Sequence, residues 1–105
     1  MELITSRVKK IVKKYHPSES QWFIDELQEY CEYLAKFSDD KRKAESFERI
    51  CIAILKLGKT SKEKFIQALE LGKKDFRDVL VNAGFGNSLT VHNDWADNVL
   101  EDKNT

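Results

Sequence analysis

The sequence predicts an all-α fold, an irregular bundle of five or six short helices around a buried central helix. Three observations support this prediction. Apolar residues recur at helical spacing along most of the 105 residues. One proline and four glycines leave few places for turns, and no run alternates with period two for long enough to indicate a strand. We therefore expect one helical domain over residues 1–100 and a frayed tail over residues 101–105.

The segment Phe47–Leu57, FERICIAILKL, is the most continuously apolar stretch in the chain. On a helical wheel, its apolar side chains and that of Ala44 cover more than half of the circumference, and Glu45, Arg49 and Lys56 mark a polar side. A helix that is apolar over so wide an arc needs neighbours on several sides. We therefore predict that this helix is the centre of the core.

Two amphipathic helices precede it. The first, residues 3–15, has one apolar and one strongly basic face, and it ends at His16-Pro17 because proline disfavours the α region for the residue before it. The second, about residues 19–37, is predicted to be capped by Ser18, with Gln21 as its capping-box partner. Its buried stripe opposes an acidic arc of Asp25, Glu26, Glu29 and Glu32. The stripe consists of Phe23, Leu27, Tyr30, Leu34 and Phe37, flanked by Ile24 and Cys31.

A fourth helix is predicted between Gly58 and Gly72. The central helix is expected to end at Gly58, and a fourth begins at Thr60 or Ser61, with Thr60 and Glu63 as a capping box, and stops at Gly72. Its inward residues are predicted to be Phe65, Ile66, Ala68 and Leu69.

The fifth and sixth helices complete the prediction. Asp75 is expected to cap a very short fifth helix, which ends with Gly84 left-handed and Phe85 folded back onto the last turn. Its inward residues are predicted to be Phe76, Val79, Leu80 and Ala83. A sixth helix from about Leu89 to Leu100 is expected to present Leu89, Trp95, Ala96 and Val99 to the core.

One segment resembles a motif of small uncharacterised bacterial helical proteins, which carry Asp-Phe/Trp-Arg-Asp before Ala-Gly-Phe. The matching residues are Asp75, Phe76, Arg77, Asp78, Ala83, Gly84 and Phe85. The resemblance implies an all-helical fold without implying an activity. The same residues also fit ordinary roles at helix ends, with Asp75 as an N-cap, Phe76 as a core aromatic and Gly84 as the residue that ends the helix.

Composition excludes several function classes. The 18 basic and 18 acidic residues balance, so no net charge attracts the chain to nucleic acid or anionic lipid. We expect no membrane association, because the longest apolar run, Ile50–Leu55, is far too short to span a bilayer and the N-terminus lacks an apolar leader. The chain is therefore expected to be cytoplasmic, with Cys31 and Cys51 as buried free thiols.

No motif specifies a catalytic, cofactor or metal site. Gly58-Lys59-Thr60 lacks the preceding glycine and strand of a phosphate-binding loop. The helices around Gly72 resemble a helix-turn-helix pair, but the second offers two aspartates and only Arg77 to DNA. The potential soft ligands are scattered singly, at His16, Cys31, Cys51 and His92. The segment HNDWAD, with His92, Asp94 and Asp97, leaves cation binding open.

We therefore expect a small non-enzymatic protein that acts as a protein–protein interaction or regulatory module, with a homodimer possible. The predicted partner-binding residues are Trp22, Glu29 and Tyr33, which share the border between the acidic arc and the buried stripe of the second helix. The alternative is that the first helix or the C-terminal segment covers both rings. A competing class is a nucleic-acid-binding accessory protein, for which we expect only weak phosphate contacts. Its basic patch consists of Arg7, Lys10, Lys13 and Lys14, with Lys41–Lys43 beside it.

Overall fold

The described residues form six helices, which confirms the predicted all-α class. The computed structural model describes residues 3–36, 43–86 and 90–101, and no strand occurs in these ranges. The helices are α1 (Ser6–Tyr15), α2 (Ser20–Ala35), α3 (Lys43–Leu57), α4 (Lys62–Lys74), α5 (Phe76–Asn82) and α6 (Val91–Glu101). The Cα radius of gyration is 12.8 Å, close to the roughly 13 Å typical of a folded chain of this length.

The central position of α3 is confirmed, because α3 packs against each of the other five helices. Ile52, Ala53, Ile54 and Leu55 are consecutive and fully buried, so neighbours cover α3 on all sides over this turn. Such burial follows from the wide apolar arc, which leaves no face of this turn that water would solvate well.

Helices α2 and α4 lie side by side and parallel. At their N-terminal ends, Lys62 Nζ lies 2.7 Å from Glu19 Oε2. At their C-terminal ends, the Tyr33 hydroxyl donates to the Lys73 carbonyl oxygen over 3.4 Å. The two helices therefore form a continuous pair along one side of the bundle.

The boundaries of α5 follow the predicted local chemistry. Asp75 caps it, since its Oδ1 accepts from the backbone N–H of Arg77 at 3.0 Å. Gly84 has φ of +85°, its N–H donates to the Val81 carbonyl, and the Phe85 N–H donates to the Leu80 carbonyl. These two bonds define a Schellman motif and confirm the predicted helix stop.

The predicted start of α1 and the predicted capping boxes of α2 and α4 are wrong, whereas the predicted start of α4 at Thr60 or Ser61 is confirmed. Helix α1 begins at Ser6, because Thr5 caps it by accepting from the Val8 N–H. Helix α2 has Glu19 at its N-cap without a side-chain capping bond, and Gln21 instead donates to Asp25 over 2.8 Å. In α4 the capping residue is Ser61, whose side chain accepts from the Lys64 N–H.

Three predictions about α4 and α5 are also wrong. Gly72 lies inside α4, where its lack of a side chain lets Tyr30 approach, since a Cβ there would lie 2.5 Å from the Tyr30 hydroxyl oxygen. Ile66 and Phe76 were expected to be buried but are 42% and 41% exposed. Phe76 opens a helix of only seven residues, whose inward face is already supplied by Val79 and Leu80.

Some predictions fall outside the described residues. These include the predicted roles of Phe37, Leu89, Lys41 and Arg42, and most of the C-terminal tail; Glu101 itself is the last residue of α6. None of the described helices combines the length and the apolar character needed to cross a bilayer.

Candidate functional site

A groove of ≈ 460 Å³ runs between α2 and α4. Helix α2 contributes most of its lining, and α4 contributes one apolar and one basic side chain. The lining residues are Glu26, Glu29, Tyr30, Glu32, Tyr33, Lys36, Leu69 and Lys73. This volume lies within the range of about 300–1,000 Å³ common to ligand pockets.

Tyr30 is the most buried aromatic residue of the groove. It is 1% exposed, and its ring stacks on that of Tyr33 with 6.4 Å between centroids. Its hydroxyl lies where a Cβ of residue 72 would otherwise be, and it has no hydrogen-bond partner among the described residues. Burial, together with the nearby Cys51 and Cys31, raises the pKa of Tyr30 far above its usual value. The phenol therefore stays protonated, as an uncharged part of the groove.

The α2 side of the groove is acidic. Glu26, Glu29 and Glu32 recur every third residue, so they lie along one side of the helix, and none of them forms an ion pair within the described ranges. No lysine or arginine interrupts α2 between Ser20 and Ala35. The three glutamates outnumber the two lysines of the lining, Lys36 and Lys73, so the groove carries a net negative charge and this wall has a negative potential at close range.

Tyr33 connects the acidic wall to α4. Its side chain is 36% exposed, and its hydroxyl donates to the backbone of Lys73 across the groove. The ring is thus held between buried Tyr30 and solvent, with one edge available to a bound molecule. Rings fixed in this way lose little conformational entropy on binding.

The three predicted partner-binding residues do not lie together. Glu29 and Tyr33 both line the groove, whereas Trp22 does not. Trp22 lies about 16 Å away along α2, since eleven residues separate it from Tyr33. Its ring contacts Phe23 and Phe65 with centroid distances of 5.0 and 5.9 Å, and Lys62 Nζ lies 4.2 Å from its centroid. Side chains of α4, Lys62 and Phe65, therefore cover the Trp22 ring.

The predicted basic patch on α1 is partly occupied by intramolecular contacts. Arg7 forms a hydrogen-bonded ion pair with Glu48, donates to Asn93 Oδ1 and lies 3.8 Å from Asp97. Lys14 donates to the Val99 carbonyl. Arg7 therefore ties α1 to α3 and α6, and Lys14 adds a second tie to α6.

The three lysines of the basic patch remain at the surface. Lys10, Lys13 and Lys14 are exposed on α1, although Lys14 also donates to the Val99 carbonyl. Of the predicted patch, only Arg7 is withdrawn between helices.

The HNDWAD segment does not converge on a cation. His92 is 7% exposed, Asn93 binds Arg7, and Asp94 and Asp97 are exposed. Burial, followed by the positive charge of Arg7, lowers the pKa of His92. Within the described parts of the chain, no group of three or more His, Cys, Asp or Glu side chains is placed to hold a metal ion.

Sequence reasoning missed the α4 half of the groove. Leu69 was predicted only as a core residue, Lys73 was not considered, and Tyr30 was placed in the buried stripe without a role at the surface. A helical wheel describes one helix at a time, and the contact of Lys73 with Tyr33 spans 40 residues. The close approach at Gly72 was the one available signal, because an interior helix glycine marks a place where another group comes near.

No protein-family model matches the chain, and no curated protein or solved structure is similar to it at a significant level. The bacterial origin and the resemblance of the segment from Asp75 to Phe85 stay predictions.

Proposed function

We propose that the chain is a non-enzymatic protein-interaction module that binds a basic segment of a partner protein in the α2–α4 groove. The observation that carries this proposal is the row of Glu26, Glu29 and Glu32, which have no ion-pair partner among the described residues, beside the half-exposed ring of Tyr33. A lysine or arginine side chain matches this combination of surfaces.

The chemistry of recognition follows from the two walls. The aliphatic stem of a lysine or arginine would pack on Leu69 and on the Tyr33 ring, while its charged end meets the glutamates. The cation also interacts favourably with the face of an aromatic ring, by about 0.5–1 kcal/mol at an exposed site. Because the glutamates lie at the edge of the groove, they add mainly to the association rate and to the salt dependence.

The two cysteines support a location in the cytoplasm, because Cys31 and Cys51 are both thiols, as is usual in a reducing compartment. The nucleic-acid alternative has less support, because Arg7 and Lys14 already contact α3 and α6.

The proposal is tested with a synthetic amphipathic peptide of leucines and lysines, labelled for fluorescence anisotropy, titrated with the full chain. We expect saturable binding that weakens steeply as salt rises, and no binding of a peptide in which glutamate replaces every lysine. Glu29→Gln is expected to weaken binding several-fold and Tyr33→Ala about tenfold, the loss of about 1.4 kcal/mol.

Glu63→Gln is the matched control, because Glu63 is an exposed glutamate on α4 that does not line the groove. It should bind the peptide as the parent chain does. Equal losses for Glu29→Gln and Glu63→Gln would mean that only overall charge matters, and the groove would not be the site. Sedimentation velocity distinguishes a second copy as the occupant: self-association that Tyr33→Ala abolishes would replace a foreign partner by a homodimer.

A further inference from the structure

Two thiols meet in the core where α2 crosses α3. Cys31 Sγ and Cys51 Sγ lie 3.4 Å apart, with exposed fractions of 0% and 1%. No motif links the two residues, since 20 positions separate them. The packing of α2 on α3 is what brings them together.

The separation is short enough for bond formation. A disulfide has a length of about 2.05 Å, so the two sulfur atoms must approach by little more than 1 Å. Rotation about the side-chain torsions supplies movements of this size when the sulfur atoms already touch. Side chains held in contact also react as if highly concentrated, which favours an intramolecular bond over a link between two molecules.

The surroundings favour the thiol form of Cys51. The hydrogen bond with Cys31, together with burial, raises the pKa of the Cys51 thiol well above its usual value. Since the thiolate is the nucleophile, the pair should react slowly in the folded protein. A small oxidant that can enter the core is needed, because a bulky disulfide reagent cannot reach buried atoms.

We propose that Cys31 and Cys51 are a redox-sensitive pair that hydrogen peroxide converts into a disulfide clamping α2 to α3. One thiol loses its proton, its sulfur attacks a peroxide oxygen, the O–O bond breaks and water leaves, which gives a sulfenic acid. The second sulfur then attacks the sulfenic sulfur, the S–O bond breaks and a second water leaves with the remaining proton. Two thiols and one peroxide thus yield one disulfide and two waters.

The disulfide should stabilise the fold. It closes a loop between residues 20 positions apart, which restricts the unfolded chain. For a domain of about 100 residues, a loop of this length corresponds to a rise of roughly 15 °C in melting temperature. The clamp is independent of the proposed groove function, because it concerns the face of α2 that packs on α3.

The test incubates the folded full chain with a small excess of hydrogen peroxide, followed by intact-mass and peptide-mass spectrometry and thermal melting by circular dichroism. We expect a monomer lighter by two hydrogen atoms, a cross-linked peptide pair containing Cys31 and Cys51, and a higher melting temperature that dithiothreitol reverses.

Cys31→Ala and Cys51→Ala serve as controls, since a single thiol cannot form the intramolecular bond. Each should gain oxygen atoms or stay unmodified, and its melting temperature should not rise. In the parent chain, persistence of both thiols, addition of oxygen without a cross-link, or linked dimers would overturn the proposal. A cross-link that lowers the melting temperature would show that the bond strains the core, and the clamp would be rejected.

Discussion

Charged side chains make different contacts on two sides of the bundle. On the α1–α6 side, Arg7 binds Glu48 and Asn93 and lies near Asp97, and Lys14 binds the α6 backbone. On the α2–α4 side, three glutamates line a groove without an ion pair among the described residues. Both sides showed strongly charged helix faces in the sequence. On one side Arg7 is held by contacts with two other helices, whereas on the other all three glutamates lie without an ion pair among the described residues.

The comparison of these two sides shows that the density of charged residues alone does not locate a binding surface. A guanidinium that is 27% exposed and held by oxygen atoms from two other helices contributes to stability, because its partners would be left unpaired if it were removed. Carboxylates that face solvent contribute little to stability. The acidic side is therefore the one where a substitution should change binding without changing the fold.

The largest expected effect comes from the helix that both sides share. Ile54 is fully buried in α3, so Ile54→Asp places an unpaired carboxylate in a dry core at a cost of several kcal/mol. This cost approaches the whole stability of a small domain. Circular dichroism should show loss of the cooperative melt, whereas Ile54→Val should melt within several degrees of the parent chain. An Ile54→Asp chain as stable as the parent would contradict the central role of α3.

The second prediction separates the two sides directly. Arg7→Gln should lower the free energy of unfolding by about 2 kcal/mol, because it removes charge-assisted hydrogen bonds to Glu48 and Asn93. Lys10→Gln is the matched control on the same helix and, as an exposed residue, should change it by less than about 0.5 kcal/mol. Urea denaturation measures both. Equal effects would mean that the Arg7 network adds nothing beyond ordinary surface charge.

The smallest expected effect is the pH dependence of stability. Burial lowers the pKa of both His16 and His92 from 6.5, so below pH 6.5 the unfolded chain binds protons that the folded chain does not. Stability should therefore be complete above about pH 7 and fall as the pH drops toward 5, before carboxylates titrate near pH 4. Melting temperatures across this range measure the slope.

Substitution of each histidine shows which of the two causes the pH dependence of stability. His92 is buried beside Arg7, whereas His16 is half-buried and stacks on Phe23 with 3.8 Å between centroids. His92→Gln should therefore flatten the pH dependence more than His16→Gln does. A larger effect for His16→Gln would place the pH-sensitive contact at the start of α2 instead of between α1 and α6.

The sequence by itself determined the class of fold, the central helix and the residues that cap both ends of α5. These features depend on interactions within a few residues: the apolar arc of α3 follows from helical periodicity, and the bonds at Asp75, Gly84 and Phe85 close within five positions. The membership of Glu29 and Tyr33 in one surface also follows from helical spacing.

The tertiary structure alone decided which charged side chains form contacts between helices and where the groove lies. Arg7 meets Glu48 across 41 positions, and Tyr33 meets Lys73 across 40. Gly72 lies inside α4 instead of ending it, and its missing side chain leaves room for Tyr30 from another helix. The periodicity of one helix shows which face is apolar, but not which helix covers that face or in what register. Those choices come from the packing of side chains distant in the chain. They decide that Arg7 is held by other helices, whereas the glutamates of α2 face an open groove.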